Sequence, residues 1–308
     1  MNAHVNTAIA LLKRETWEHR SFWIVPTVIA GLMLFFFLYA MIYAMPHEIG
    51  YDLWVDRMST SDHEALERIG TYLIPGLAAP FFMMMVFVSS FYLLDALYSE
   101  RRDRSILFWK SLPVNDTATV FSKWGAVLVV FPAIVFAIVV LLSLLMTLLT
   151  GLFVIFGGGN AWTLVWQHYS LFDGLGAALT LFYVETLWYL PVMGWLLLAS
   201  AWAKKAPFLW AALPPVGIAV LEKMFLDSDH FLDLVGGRLA PFGGAHGFEG
   251  RIEEELELFG DSVSLGTAGF DYSVFGDLFT TAGFWYGLLF AAACTAGAIW
   301  LRRYRDES

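Results

Sequence analysis

Cysteine is almost absent: Cys294 stands alone among 308 residues, so the chain forms no internal disulfide and no thiolate metal cluster. Charge is also scarce. Asp, Glu, Lys and Arg make up 15% of the residues, against about 25% in an ordinary soluble domain. There is no G-x-x-x-x-G-K-[ST], so no nucleotide is held by a P-loop. H-E-x-x-H and G-x-S-x-G are missing as well, which removes the common zinc-peptidase and serine-hydrolase readings. The seven histidines are scattered, none three or four residues from another. A surplus of 28 acidic over 18 basic residues argues against nucleic acid as a partner. The chain is therefore expected to be no enzyme, with no catalytic residue, no bound cofactor and no metal of its own.

Apolar residues are what it has. They account for 58% of the chain, aromatics for 17%, and the mean hydropathy is +0.64. The excess falls in six blocks, each long enough to cross the hydrocarbon core as a helix: 22–45, 71–94, 120–149, 174–202, 206–225 and 282–301. The expected fold is an all-α integral membrane protein with six transmembrane helices. Blocks four and five are divided only by Lys204-Lys205 and should form a tight hairpin. Pro214-Pro215 should kink or break the fifth.

Basic residues set the direction. With the N-terminus in the cytoplasm, thirteen of the 18 lysines and arginines fall on the inside, but only eight of the 28 acids. The chain is expected to be N-in/C-in and multi-pass in a bacterial-type cytoplasmic (inner) membrane. It divides into an N-terminal interfacial helix (1–21), a six-helix transmembrane domain (22–301) and a cytoplasmic tail (302–308). The transmembrane domain includes a cytoplasmic loop at 95–123 and a long outer segment at 226–281. Short apolar fragments at 231–235 and 239–242 cannot span and are candidates for re-entrant helices.

Few polar groups interrupt the spans. Glu185, flanked by Tyr183 and Trp188-Tyr189, has two readings: a packing residue bonded to a tyrosine hydroxyl, or a pathway residue that carries substrate or protons. Glu222 reads as an interfacial, solvated glutamate. Gly283-x-x-x-Gly287, continued by Ala291 and Thr295, makes a small-residue stripe for close helix approach, within the chain or between subunits. Met83-Met84-Met85 points three ways around a helix and reads as flexible packing or lipid contact rather than a soft-metal site.

The segments read as cytoplasmic are the most structured. Residues 7–20 place Leu11, Leu12 and Glu15 on one arc and turn Lys13, Arg14 and Trp17 elsewhere, which suits a helix flat on the inner membrane surface. In the loop, a charged turn (Glu100, Arg101, Arg102) precedes an apolar cluster (Ile106, Leu107, Phe108, Trp109), then Leu112-Pro113 and a short helix capped by Asn115 or Asp116. An apolar cluster facing the cytosol requires a covering surface.

This stretch, E-R-R-D-R-S-I followed by S-L-P-V and S-K, resembles the loop after the second span in type-2 ABC exporter permeases, and LLKRETWEHRSFW resembles that family's N-terminal interfacial helix. The resemblance implies a permease subunit supplying half of a translocation pathway. Glu100, Arg101, Arg102, Ile106, Phe108, Trp109 and Pro113 would then dock on a separate ABC ATP-binding subunit, which carries the ATP and Mg. Lys13, Arg14, Glu15 and Trp17 would form the interfacial helix, and a second permease subunit, identical or homologous, would complete the transporter within membrane lipid. The alternatives are an ion-coupled secondary transporter using Glu185, or a membrane scaffold or sensor without transport.

Overall fold

A computed structural model describes residues 2–44, 63–111, 114–239 and 273–304. Among these there is no strand, and six helices are long and apolar enough to cross a membrane. The chain is thus an all-α protein of the multi-pass membrane type. Helix α1 (Asn2–Glu18) precedes the first span, α2 (Ser21–Tyr39), which ends in a π-helical turn at Ala40–Ala44. The second span, α3 (His63–Ala96), begins earlier than the apolar run, because the polar residues from His63 simply extend it. Two short helices follow, α4 (Tyr98–Arg102) and α5 (Ser105–Ser111).

The short helix expected after Pro113 is instead the first part of span three. Helix α6 (Asp116–Gly125) runs through a π segment at Ala126–Val130 into α7 (Phe131–Phe156). Pro132 has no N–H for the Leu128 carbonyl, and the widened turn just before it absorbs the lost bond. At the start of α6 the Asn115 side chain accepts a hydrogen bond from the Thr117 amide at 3.2 Å, so Asn115 is the cap.

A small connector, α8 (Ala161–Leu164) with a 3₁₀ turn at Trp166–His168, leads to span four, α9 (Leu171–Trp202). Span five is α10 (Pro207–Leu226), then come α11 (His230–Leu239), α12 (Ser273–Thr280) and span six, α13 (Ala282–Tyr304). Of the expected kink or break at Pro214-Pro215, there is no break: α10 runs through both prolines. Pro215 cannot donate to the Ala211 carbonyl, but the indole N–H of Trp195 on α9 does, at 2.9 Å. A neighbouring side chain satisfies the orphaned acceptor, so the helix continues.

The core is built around α9, which packs on α3 and α13. Spans one and five bury the least of themselves. The stripe on α13 serves packing within the chain: a Cβ on Gly194 would meet the Ala291 Cα at 2.9 Å, and one on Gly287 would meet Pro191 Cγ at 2.7 Å. Met84 and Met85 are buried, as packing residues should be.

Glu222, partly exposed near the end of α10, is not idle. Its carboxylate accepts from the Phe231 amide at 2.8 Å and from Ser228 Oγ at 2.8 Å, which caps the start of α11.

The α9–α13 crossing makes a direct prediction. Gly194→Leu must force the two backbones apart and should cost about 1–3 kcal/mol by overpacking. Gly31→Ala, which meets nothing within 4 Å, should leave stability unchanged or raise it by up to about 1 kcal/mol, since alanine favours a helix interior over glycine. Thermal unfolding of the purified chain in detergent compares the two; equal melting temperatures would mean that the crossing is loose.

Candidate functional site: a buried ion network at one end of the bundle

Four ionised side chains from four separate elements meet in the interior. Glu15 (α1), Glu100 (α4), Lys123 (α6) and Arg302 (α13) are each no more than 5% exposed. Lys123 Nζ donates to Glu15 Oε1 at 2.7 Å and lies 3.1 Å from Glu100 Oε1. Arg302 pairs with Glu100 through Nη1 and with Asp116 through Nε at 3.0 Å. Tyr92 of α3 donates its hydroxyl to Glu15 Oε2 at 2.7 Å. Two carboxylates and two cations make the buried quartet neutral, the condition under which charge is tolerated in an apolar interior.

Local sequence explains how each group arrives. Leu11 and Glu15 lie one helical turn apart on α1 and both face inward. Gly125 lets that face approach closely: a Cβ there would stand 2.8 Å from Leu12 Cδ2. Beneath the ions lies an aromatic layer. Phe22 stacks on Phe131 with centroids 4.5 Å apart, and Tyr92 lies 5.1 Å from Phe22. These rings exclude water, which strengthens the ion pairs above them and makes an unpaired charge costly.

Two titratable groups flank the quartet. Arg14 bonds Glu18 at 2.8 Å and reaches Glu100 at 3.6 Å. Burial works against its charge, yet the surrounding carboxylates hold its pKa above the ordinary arginine value. The His19 ring meets Tyr92 edge-on and lies 3.9 Å from Glu15. Burial pushes its pKa down, against the pull of Glu15. Glu15, Glu18 and His19 bring ligand-type atoms within 4.8 Å of one another. Glu15 is already neutralised by Lys123, so this trio is no metal centre by its chemistry.

Backbone bonds complete the junction. Ser200 Oγ near the end of α9 accepts from the Leu97 and Tyr98 amides, each at 3.0 Å, where α3 passes into α4. Arg101 donates to the Ser200 and Ala203 carbonyls and so ties the same turn to α9. The ends of α1, α3, α9 and α13 and the start of α6 are thereby gathered at one end of the bundle.

The sequence candidates separate into inward and outward groups. Glu100 and Ile106 point in; Glu100 is a member of the buried network, which corrects its expected place among the residues that dock on a partner. Leu107 and Phe108 are 58% and 60% exposed, and Arg102 is exposed beside Asp103. Trp109 lies on α5, and Pro113 falls outside the described residues. On α1, Glu15 points in, while Lys13 lies over the exposed Trp17 ring at 4.8 Å. Helix α1 is therefore docked through Glu15 and Leu11, not merely laid on a surface. Glu185 is half-buried on α9 and apart from the network, about 22 Å along the helix from Ser200 at 1.5 Å per residue.

No family model, curated protein or solved structure matches the chain. The site therefore rests on its own chemistry. Lys123, Arg302, Tyr92 and Ser200 were not among the sequence candidates. The available signal was position: Lys123 and Arg302 sit at the edges of apolar spans, where they were counted only as markers of orientation.

The network predicts an asymmetry. Lys123→Met leaves two buried carboxylates short of a partner and should cost about 3–5 kcal/mol. Adding Glu15→Gln to that variant should restore part of the loss, because the worst uncompensated charge is gone. Melting temperatures of the two single variants and the double variant test this; additive losses would mean that the pair is not coupled.

Proposed function

We propose that the chain is the permease subunit of an ABC-type exporter, coupled to a separate ATP-binding subunit through the α4–α5 loop. The observation that carries the reading is the division of that loop into two faces. Glu100, Arg101 and Ile106 anchor it to α1, α6, α9 and α13, while Leu107 and Phe108 are held outward on the anchored seat. A push on α5 would act on several spans together rather than on a slack connector. This is the mechanical requirement for converting a partner's motion into rocking of the spans between two access states. The motif resemblance of residues 100–123 points the same way.

The ionic junction would lie at the cytoplasmic end, in accord with the basic residues gathered there. A second permease subunit would complete the pathway. ATP and Mg would be bound and consumed on the partner, while this chain would supply the docking surface and the moving walls. Leu107 and Phe108 would be the apolar anchors of the contact, with Arg102 and Asp103 at its rim.

Phe108→Ala tests the coupling without touching the network. Loss of a buried aromatic anchor costs about 1–3 kcal/mol, which weakens binding of the ATP-binding subunit roughly 5- to 140-fold. Copurification with the ATP-binding subunit, and ATPase activity of the reconstituted complex, should fall while the melting temperature of the permease stays unchanged. Full retention and full activity would sink the coupling role. Glu100→Lys is the poorer probe, because it reverses a charge inside the network and disturbs the seat itself.

Orientation has its own measurement. Asp103→Cys should be shielded from an impermeant thiol reagent in intact cells, and Asp229→Cys should be labelled; both positions are substantially exposed. The reverse pattern would put the junction outside and remove any access to cytosolic ATPase.

A further inference from the structure

At the opposite end of the bundle one cation meets no carboxylate among the described residues. Arg238, on α11, donates through Nη1 to the Trp188 carbonyl at 2.9 Å and through Nη2 to the Gly283 carbonyl. Its guanidinium carbon lies 3.5 Å from the centroid of the Trp188 ring. In return the Trp188 indole N–H donates to the Gly237 carbonyl at 2.9 Å. Gly287 leaves the room: a Cβ there would stand 3.0 and 3.1 Å from the two terminal nitrogens. Part of the small-residue stripe on α13 thus accommodates a guanidinium.

Arg302 and Arg238 are both partly or wholly withdrawn from water, yet they are treated differently. Arg302 is met by two carboxylates. Around Arg238, no carboxylate among the described residues comes within ion-pair distance, and its pKa is lowered by burial alone, with no acid acting to raise it. Two backbone carbonyls and an indole face orient the fork but do not neutralise it. A guanidinium offers five N–H donors; the two carbonyl bonds leave the others available together with the whole charge. The group is only half-buried, so a ligand can reach it.

Its surroundings state what kind of ligand. Leu234, one turn before Arg238 on α11, is 64% exposed, and Phe279 and Trp285 near the junction of α12 and α13 are also exposed. A fixed cation with spare donors, set among open apolar side chains on a membrane-type bundle, matches an anionic head with hydrocarbon attached. A purely aqueous anion would gain nothing from the apolar surroundings. We propose that Arg238, seated on Trp188, binds the phosphate headgroup of an anionic membrane amphiphile. The site stands apart from the ionic junction and does not depend on any ATP-binding partner, so its failure and that of the exporter reading are separate results.

The test uses the purified full chain in detergent and native mass spectrometry. Phosphatidylglycerol, phosphatidylcholine with identical acyl chains, and inorganic phosphate are the probes. Phosphatidylglycerol should be retained roughly tenfold more tightly than phosphatidylcholine, because both carry a phosphate but the choline cation offsets its charge in phosphatidylcholine, leaving less attraction to a fixed guanidinium. Arg238→Gln should abolish that preference. Arg238→Lys keeps the charge but cannot span both carbonyls, and should keep part of the preference. Equal retention of the two lipids by the native chain, or an unchanged preference in Arg238→Gln, overturns the proposal. Loss in Arg238→Lys as complete as in Arg238→Gln also overturns it, because the arginine is then only a latch between α9, α11 and α13. Displacement of phosphatidylglycerol by inorganic phosphate at equal concentration assigns the site to an aqueous anion and overturns the amphiphile.

Discussion

A carboxylate inside an apolar helix bundle is tolerated only when a cation comes with it, and that constraint organises one whole end of this protein. Glu15 and Glu100 are buried on different helices, and Lys123 lies between them. Arg302 closes the set from the last span. Each ion needs the next to stay charged, so the helices that carry them cannot drift apart independently. The aromatic layer of Phe22, Phe131 and Tyr92 raises the stakes by keeping water away. Helix α1 is held to the bundle for the same reason: its Glu15 has no other partner of opposite charge so close.

The same logic of unsatisfied groups accounts for features elsewhere in the fold. Pro215 removes a donor, and the Trp195 indole supplies another to the freed carbonyl, so α10 stays whole. Glu222 gives its carboxylate to the exposed amide at the start of α11, where it caps a helix only ten residues long. Ser200 accepts two amides at the break between α3 and α4. In each case a polar side chain from a neighbouring element answers a backbone group that its own helix cannot satisfy. Arg238 differs: its bonds fix its position, and no carboxylate among the described residues answers its charge.

Much of the fold was legible because hydropathy and capping are local. A block of some twenty apolar residues has to be a helix in lipid whatever surrounds it, and Asn115 caps α6 through its own next-but-one amide. The loop at 95–123 was legible as a structured element but not in its sidedness. Sequence grouped Glu100 with Arg102 in one charged turn that would dock on a partner, whereas packing turns Glu100 inward and leaves Arg102 outside. A helix five residues long has no apolar stripe from which its inward face can be read.

By itself, then, the sequence determined six apolar helices, the surplus of basic residues on one set of connections, and a glycine stripe able to admit a close neighbour. Only the tertiary structure decided that Lys123 answers a carboxylate 108 positions away and that Arg302 answers one 202 positions away. It also decided that the space at Gly287 receives an arginine as well as a proline. The physical reason is range. Desolvation of a backbone or an apolar run is fixed by the residues of that segment, whereas the partner of a buried charge is fixed by whichever helix the fold brings within about 3 Å, the ordinary hydrogen-bond distance.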